Sequence, residues 1–209
     1  GANGMTGAAL LAASAALNSG AGRVFVGLLA DPSINVNPEQ PELMFRRVDD
    51  MDLTSATVVC GCGGGDAIQA HMQRLLMAAI QVVIDADAIN SIASSTSFQS
   101  LLTSRSRQSK STVLTPHPLE AARLLGITTA EVQNDRLSAA TALAQRFGCT
   151  IVLKGSGTIV ARQGQTPVIN STGNAKLATA GTGDVLAGMI GAGLASGLPE
   201  FEAACRAVY

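Results

Sequence analysis

The sequence is short of aromatic residues, of charges and of cysteines. Of its 209 residues 3% are aromatic, none is tryptophan, and 14% are charged. So few aromatic side chains argue against a stacking platform for single-stranded nucleic acid. Lys and Arg number 14 against 15 Asp and Glu, a formal charge of −1, which leaves no basic surface for duplex DNA or an anionic membrane. Any phosphate ligand would therefore depend largely on backbone amides and helix N-termini.

Cysteine and histidine are too sparse for a disulfide framework or a structural zinc site. The chain has four cysteines, no Cys-x-x-Cys pair and two histidines that lie far apart. Cys60 and Cys62 would point to opposite faces of a strand. No apolar run reaches the roughly 18–20 residues of a membrane span, and the first residues carry no basic signal-peptide segment. We therefore expect a cytoplasmic protein that binds neither nucleic acid nor membrane.

Strands and helices alternate along the chain, which predicts a parallel sheet with helices on both faces. Apolar, β-branched runs predict strands over residues 23–29, 57–60, 81–84, 112–115, 149–153, 158–161 and 167–170. Helices are predicted over residues 5–18, 69–79, 119–125 and 129–147, with two more after residue 184, and the proline-rich segment 31–41 is predicted to be a loop. With no repeat and no linker visible, we expect one three-layer α/β/α domain with a mostly parallel central sheet.

Polar or glycine-rich residues follow four of the predicted strands. These segments are residues 61–65, 85–87, 115–117 with Glu120, and 154–158. Because ligands of open α/β sheets bind beyond the carboxyl ends of the strands, we expect these segments to meet at one site. Each also has a structural interpretation: a tight turn at the glycines, a helix start at Asp85 and Asp87, and a surface histidine at His117. Neither the Rossmann nor the P-loop glycine pattern occurs.

The most specific local motif is Ala-Gly-Thr-Gly-Asp at residues 180–184, directly before a predicted helix. Free amides of residues 181–184 would form an anion-binding site at the helix N-terminus. Asp184 has two interpretations, as the N-cap of that helix or as the base that activates a hydroxyl for phosphoryl transfer. Cys62 is interpreted as a packing residue, since no neighbouring cation would lower its pKa.

The sequence resembles the NAD(P)H-hydrate dehydratase family, which has the ribokinase-like fold. The similar segments keep the family's order and span nearly the whole chain; they are GMTGAALLAASAAL, NSGAGRVFVG, PELM, GCGGG, VIDADAIN, LTPHPLEAARLLG, VLKGSGTIVA and NSTGNAKLATAGTGDVLAGMI. This chain departs from the usual pattern at Cys62, Gly64, Ser171 and Ala180, none of which replaces a polar catalytic group. The resemblance implies a single domain over residues 1–209 that lacks the family's first strand and its C-terminal helix.

The resemblance also implies an activity and a set of site residues. The activity is dehydration of the S-epimer of hydrated NADH or NADPH, driven by ADP or ATP with Mg²⁺. Four residues are placed on the hydrate: Ala8, Gly63, His117 and Asp184, the last as the catalytic base. Six are placed on the adenine nucleotide: Lys154, Gly155, Ser156, Gly157, Thr158 and Gly183. No direct metal ligand is implied, and Glu120 is the candidate for an indirect one. A homo-oligomer is expected, with an NAD(P)H-hydrate epimerase as fused or separate partner.

Two other functions fit the same residues. A small-molecule kinase of the same fold, such as a hydroxyethylthiazole kinase, would release a stable phosphate ester. A non-catalytic module could sense dinucleotides, although the intact Gly183-Asp184 pair argues against it. Simple chemistry makes the dehydratase sensible, because hydroxide, whose conjugate acid has a pKa of about 15.7, is a poor leaving group until it is phosphorylated.

Overall fold

The computed structural model describes residues 1–29 and 35–209. The strands in this part of the chain are β1 (Phe25–Leu28), β2 (Met44–Arg47), β3 (Thr57–Cys60), β4 (Gln81–Ile84), β5 (Thr112–Leu114), β6 (Thr150–Leu153), β7 (Ile159–Ala161) and β8 (Val168–Ile169). The helices are α1 (Thr6–Asn18), α2 (Gln69–Ala78), α3 (Ala86–Ala93), α4 (Thr96–Arg107), α5 (Pro118–Leu125), α6 (Thr129–Asn134), α7 (Arg136–Phe147), α8 (Thr182–Ala195) and α9 (Glu200–Val208). None of these helices is long and apolar enough to cross a membrane.

The central sheet has six strands in the order β3-β4-β5-β6-β7-β8. Strands β3 to β6 are parallel neighbours, β7 pairs antiparallel with β6, and β8 pairs antiparallel with β7. Because the parallel strands run in one direction, their carboxyl ends all open at the same edge of the sheet. The polar segments that follow them in the sequence are brought together there.

Helices cover both faces of this sheet, because its strand residues are apolar on both sides. Side chains such as Ile84, Leu114 and Ile151 pack against α2 to α7 on one face. Their neighbours Val83, Val113 and Val152 pack against α1, α8 and α9 on the other face. The expected three-layer α/β/α domain with a mostly parallel sheet is confirmed.

Small residues allow α1 and α8 to lie in direct contact. A Cβ atom on Gly188 would lie 2.1 Å from the carbonyl oxygen of Ala12. A Cβ on Gly191 would lie 2.5 Å from the Val59 side chain, so α8 also lies close on the sheet. This close approach explains why both helices are rich in alanine and glycine.

Four features differ from the sequence predictions. The helix expected over residues 129–147 is two helices, because Asp135 lies between α6 and α7 and its carboxylate caps α7 through the Ser138 N–H (2.9 Å). Strand β2 and helices α3 and α4 were not predicted as elements. The loop expected over residues 31–41 lies partly outside the described residues, and residues 35–41 contain neither helix nor strand.

Strands β1 and β2 form a separate two-stranded parallel sheet. In the described part of the chain, no strand pairs with the remaining edges of β1 and β3, which line a common cavity of about 720 Å³. The Gly1 carbonyl accepts a hydrogen bond from Leu29 (2.9 Å), and the Ala2 N–H donates to Gly63 (2.6 Å). The first residues thus bridge the ends of both edge strands. That the domain lacks the family's first strand stays a prediction.

Candidate active site

Three of the expected strand ends meet the N-terminus of α8 at one buried cluster. Ligand atoms of Cys62, Asp85 and Asp184 lie within 4.8 Å of one another. The Lys154 ammonium joins them, 2.6 Å from Asp85 Oδ1. The cluster therefore contains residues that follow β3, β4 and β6, as the sheet topology requires.

Asp184 lies at the third position of α8, so its interpretation as an N-cap is wrong. The N-cap is Gly181, whose φ of +90° suits glycine, and α8 begins at Thr182. The first N–H groups of a helix have no partner within it, so the amides of residues 181–184 are available to an anion. The pKa of Asp184 is raised, first by burial and further by the nearby charge of Asp85, while Cys62 and Lys154 lower it. A carboxylate of raised basicity thus stands beside an anion-binding helix end.

Close backbone contacts hold the strand ends in place. A Cβ on Gly61, whose φ is +105°, would lie 1.8 Å from the carbonyl oxygen of Asp85. A Cβ on Gly63 would lie 2.9 Å from the Ala8 side chain. Two residues expected on the hydrate, Ala8 and Gly63, therefore lie side by side next to Cys62.

His117 and Glu120 form a capping box at the start of α5. His117 Nδ1 accepts N–H bonds from Leu119 (3.1 Å) and Glu120 (3.3 Å), and Glu120 Oε2 accepts the His117 N–H (2.7 Å). His117 Nε2 lies 3.2 Å from Glu120 Oε1. Burial lowers the pKa of His117 and raises that of Glu120. Both ring nitrogens are thus used locally, which leaves the ring, 44% exposed as a side chain, as the surface open to a ligand.

The expected nucleotide loop, residues 154–158, turns through two glycines. Gly155 has φ +139° and Gly157 φ +64°, and the Thr158 hydroxyl donates to the Gly155 carbonyl (2.9 Å). The Lys154 N–H donates to Pro116 (2.9 Å), which ties this loop to the segment that carries His117. Lys154 Nζ lies 3.4 Å from the point where a Cβ on Gly183 would be. Lys154 and Gly183 therefore meet, and the Lys154 ammonium faces Asp85.

Arg136, at the start of α7, contacts this loop, and the sequence did not indicate it as a site residue. Its guanidinium donates to the carbonyls of Leu153 (3.3 Å), Lys154 (3.2 Å) and Ser156. Carbonyl groups that turn towards Arg136 leave the amides of residues 155–157 free to face the opposite side. No local pattern marks Arg136, since its partners lie 17 to 20 residues further along the chain.

The donor atoms of the cluster do not fit a closed magnesium site. Burial raises the pKa of Cys62 well above its usual value, so this thiol is neutral, and Mg²⁺ prefers oxygen ligands. Asp85 already holds the Lys154 ammonium. Within the cluster, the Asp184 carboxylate is therefore the oxygen donor that does not hold the Lys154 ammonium. That no residue ligates the metal directly stays a prediction.

The fold and the site together define a class of protein. A three-layer α/β/α sheet carries a Gly-Thr-Gly-Asp helix N-terminus beside a Lys-Gly-Ser-Gly loop, which is typical of nucleotide-using enzymes with the ribokinase-like fold. All of the chain, residues 1–209, matches the profile of the family described as NAD(P)H-hydrate dehydratase. The chain belongs to this family.

Individual relatives agree with this assignment. The chain is 43% identical over 216 residues to an ADP-dependent (S)-NAD(P)H-hydrate dehydratase of Neisseria meningitidis, covering 100% of this chain and 72% of that protein. It is 38% identical to the bifunctional NAD(P)H-hydrate repair enzyme Nnr of Escherichia coli, covering 97% of this chain but 39% of the relative. An ADP/ATP-dependent NAD(P)H-hydrate dehydratase from Bacillus subtilis, co-crystallised with ATP and Mg²⁺, superposes with a TM-score of 0.79 at 30% identity, over 100% of this chain and 75% of that one.

Proposed function

We propose that this protein dehydrates the S-epimer of NADH or NADPH hydrate, with cleavage of ADP or ATP. The observation that carries the proposal is the position of Asp184, a carboxylate of raised pKa at the anion-binding start of α8 and within 4.8 Å of Cys62 in the glycine turn. Family membership and the 43% identical dehydratase support it. The reaction needs a phosphoryl-transfer centre next to a dinucleotide site, and this arrangement offers both.

The first step transfers a phosphoryl group. Asp184 accepts the proton of the hydrate's ring hydroxyl, and the hydroxyl oxygen attacks the terminal phosphorus of the nucleotide, whose bond to the bridging oxygen breaks. The free amides of residues 181–184 hold the transferred group and stabilise its charge. Lys154 adds a positive charge at Gly183. A positioned base of this kind contributes roughly 10²–10⁴ to the rate.

The second step expels phosphate. The lone pair of the ring nitrogen forms a double bond to the neighbouring carbon as the carbon–oxygen bond to phosphate breaks. The resulting iminium loses a proton from the adjacent ring carbon, which restores the reduced nicotinamide. Ala8 and Gly63 would line the ring through close backbone approach, and the exposed face of His117 would contact it from the neighbouring strand end. Their roles on the hydrate remain proposals.

The adenine nucleotide would bind along residues 154–158 with Gly183. Two positive-φ glycines let its phosphates approach the backbone, and the carbonyls of this loop are turned away by Arg136. Bound Mg²⁺ would neutralise phosphate charge beside Asp184. The Glu120 oxygens take part in the α5 capping box. An indirect contribution of Glu120 to metal binding remains a prediction.

The protein's setting can also be proposed. Four free cysteines fit a reducing compartment, so we place the enzyme in the cytoplasm. Bifunctional relatives support an NAD(P)H-hydrate epimerase as a fused or separate partner. A homo-oligomer stays a prediction that sedimentation of the purified protein would test.

Recovery of reduced nicotinamide tests the proposal directly. Purified protein is mixed with hydrated NADH or NADPH and Mg²⁺, with ADP in one series and ATP in another, and the near-ultraviolet absorbance of the reduced ring is followed. We expect absorbance to return only when a nucleotide is present. Nucleotide cleavage on a small alcohol without that recovery would favour the kinase, and binding without any cleavage would favour the sensor.

A further inference from the structure

Asp85 is a buried carboxylate to which the expected contacts with hydrate and nucleotide assign no role. It is 2% exposed and occupies the N-cap of α3, yet its side chain does not cap that helix. Its Oδ1 instead accepts hydrogen bonds from the Thr115 hydroxyl and the Lys154 ammonium, both at 2.6 Å. Ala86, the next residue, has φ +44°, a backbone conformation that is unfavourable for residues other than glycine. The chain thus tolerates backbone strain and forgoes a cap while this carboxylate faces the site.

The ion pair of Asp85 and Lys154 lies against the phosphoryl-binding end of α8. The point where a Cβ on Gly183 would be is 3.4 Å from Lys154 Nζ and 3.8 Å from Asp85 Oδ2. The Lys154 side chain is 19% exposed and the Asp85 side chain 3%, so salt screens their charges little. The lack of a side chain at Gly183 lets both charges approach the helix start.

Within this ion pair, the Lys154 ammonium also offsets the charge of Asp184. Ligand atoms of Asp85 and Asp184 lie within 4.8 Å, and two carboxylates at such a distance do not both ionise readily without a cation. Lys154 supplies that cation. If the Lys154 ammonium were held by a nucleotide phosphate alone, its positive charge would leave the cluster whenever the nucleotide left.

We propose that Asp85 is a positioning residue of this active site: it holds the Lys154 ammonium beside Gly183, where the ammonium balances both Asp184 and the transferred phosphoryl group. This inference rests on the proposed function, since phosphoryl transfer is what brings the new charge to this point. Asp85 and Lys154 then act on Asp184 in opposite directions. The negative charge of Asp85 disfavours the ionised base, and the positive charge of Lys154 favours it.

Four groups face Asp184 and affect its titration. They are Asp85 and Asp87 from the start of α3, Lys154 after β6, and Cys62 after β3. The thiol of Cys62 is neutral, because burial raises its pKa well above the usual value. Asp87 accepts the Gly65 N–H (2.8 Å). Asp87 is the same in every variant below, so differences between variants isolate Asp85 and Lys154.

The test is the acid limb of kcat against pH for Asp85→Asn, Lys154→Met and the double variant. Turnover falls as pH falls through the pKa of Asp184, because the base must be ionised. Asp85→Asn removes the negative charge but keeps a side-chain oxygen that can hold the Lys154 ammonium, so we expect it to move this limb to lower pH. Lys154→Met removes the positive charge and should move the limb to higher pH. Each shift should be about one pH unit. The double variant should return close to the original limb. Each single variant should also lose about tenfold or more in plateau kcat.

Matched controls and one further variant make the outcome decisive. Two control variants should leave the limb in place. Asp49→Asn changes an aspartate whose side chain is 69% exposed, and Lys110→Met changes a half-buried lysine whose ammonium donates to the Met77 carbonyl. Lys154→Arg keeps the charge and should keep the limb even if it lowers kcat. Should Asp85→Asn fail to fold, Asp85→Ser takes its place, alone and combined with Lys154→Met, with the same directions expected. Limbs that stay fixed, or move the same way in both single variants, would overturn the inference. Wild-type protein that restores no reduced nicotinamide would overturn the proposed function instead.

Discussion

Replacing Gly61 by alanine would place a methyl group 1.8 Å from the carbonyl oxygen of Asp85 and 2.8 Å from the Ala88 side chain. The backbone there has φ +105°, which residues other than glycine adopt at a cost of about 1–3 kcal/mol. Overpacking against backbone that cannot retreat adds about 1–3 kcal/mol. We therefore expect Gly61→Ala to lower the free energy of unfolding by about 2–6 kcal/mol. The clash would also displace Asp85, so turnover should fall even at temperatures where the variant is folded.

A second glycine separates backbone strain from steric clash. Gly164 has φ +79°, and a Cβ there would meet nothing within 4 Å, so Gly164→Ala should cost the strain alone and leave turnover unchanged. Urea unfolding followed by circular dichroism gives both free energies, and the nicotinamide assay gives both rates. If Gly61→Ala were no less stable than Gly164→Ala and equally active, the contact between the ends of β3 and β4 would not position the site.

Three further variants test separate parts of the structure. Asp184→Asn keeps the shape of the base but not its basicity, so turnover should fall roughly 10²–10⁴-fold. Nucleotide affinity measured by calorimetry should stay within threefold, or about 0.7 kcal/mol. Near-normal turnover would show that Asp184 is not the base. Arg136→Met should weaken nucleotide binding about tenfold, because charged hydrogen bonds to the loop carbonyls are lost, whereas Arg206→Met on the exposed part of α9 should not; equal affinities for the two would contradict the loop assignment. Arg105→Met should lower the free energy of unfolding, measured in urea, by about 2–4 kcal/mol. The reason is that the Arg105 guanidinium, in a residue 1% exposed, donates to the carbonyls of Leu76 and Ala79. A loss below the roughly 0.5 kcal/mol of a surface substitution would contradict that role.

Most of the central sheet could be predicted from the sequence because its strands are short apolar runs that end in glycine or polar residues. Strands β3 and β4 were predicted with their observed bounds. Helix α4 was missed because its sequence, TSFQSLLTSRSR, is rich in serine. Its buried Arg105 also reads as a surface residue, since arginine is usually exposed. Patterns of local polarity cannot show that a guanidinium is satisfied by carbonyls of a distant helix.

The convergence of the strand ends was predictable, but the contacts between their residues were not. The strand ends and the motif at residues 180–184 predicted one common site, and Asp85, Lys154 and Asp184 do meet there. Whether Asp184 is an N-cap or a helical residue depends on where α8 begins, and that is set by the positive φ of Gly181. The pairing of Lys154 with Asp85 spans 69 residues and depends on the order of strands β4, β5 and β6. Sequence spacing alone therefore could not find it.

The most direct test of the account is phosphorus NMR of a quenched reaction with hydrated NADH, nucleotide and Mg²⁺. The account predicts a transient phosphorylated dinucleotide that does not accumulate. For each nucleotide cleaved, one inorganic phosphate should be released and one reduced dinucleotide restored, because the ring nitrogen expels the phosphate ester as soon as it forms. A stable phosphate ester at the end of the reaction, with no recovery of reduced nicotinamide, would contradict it.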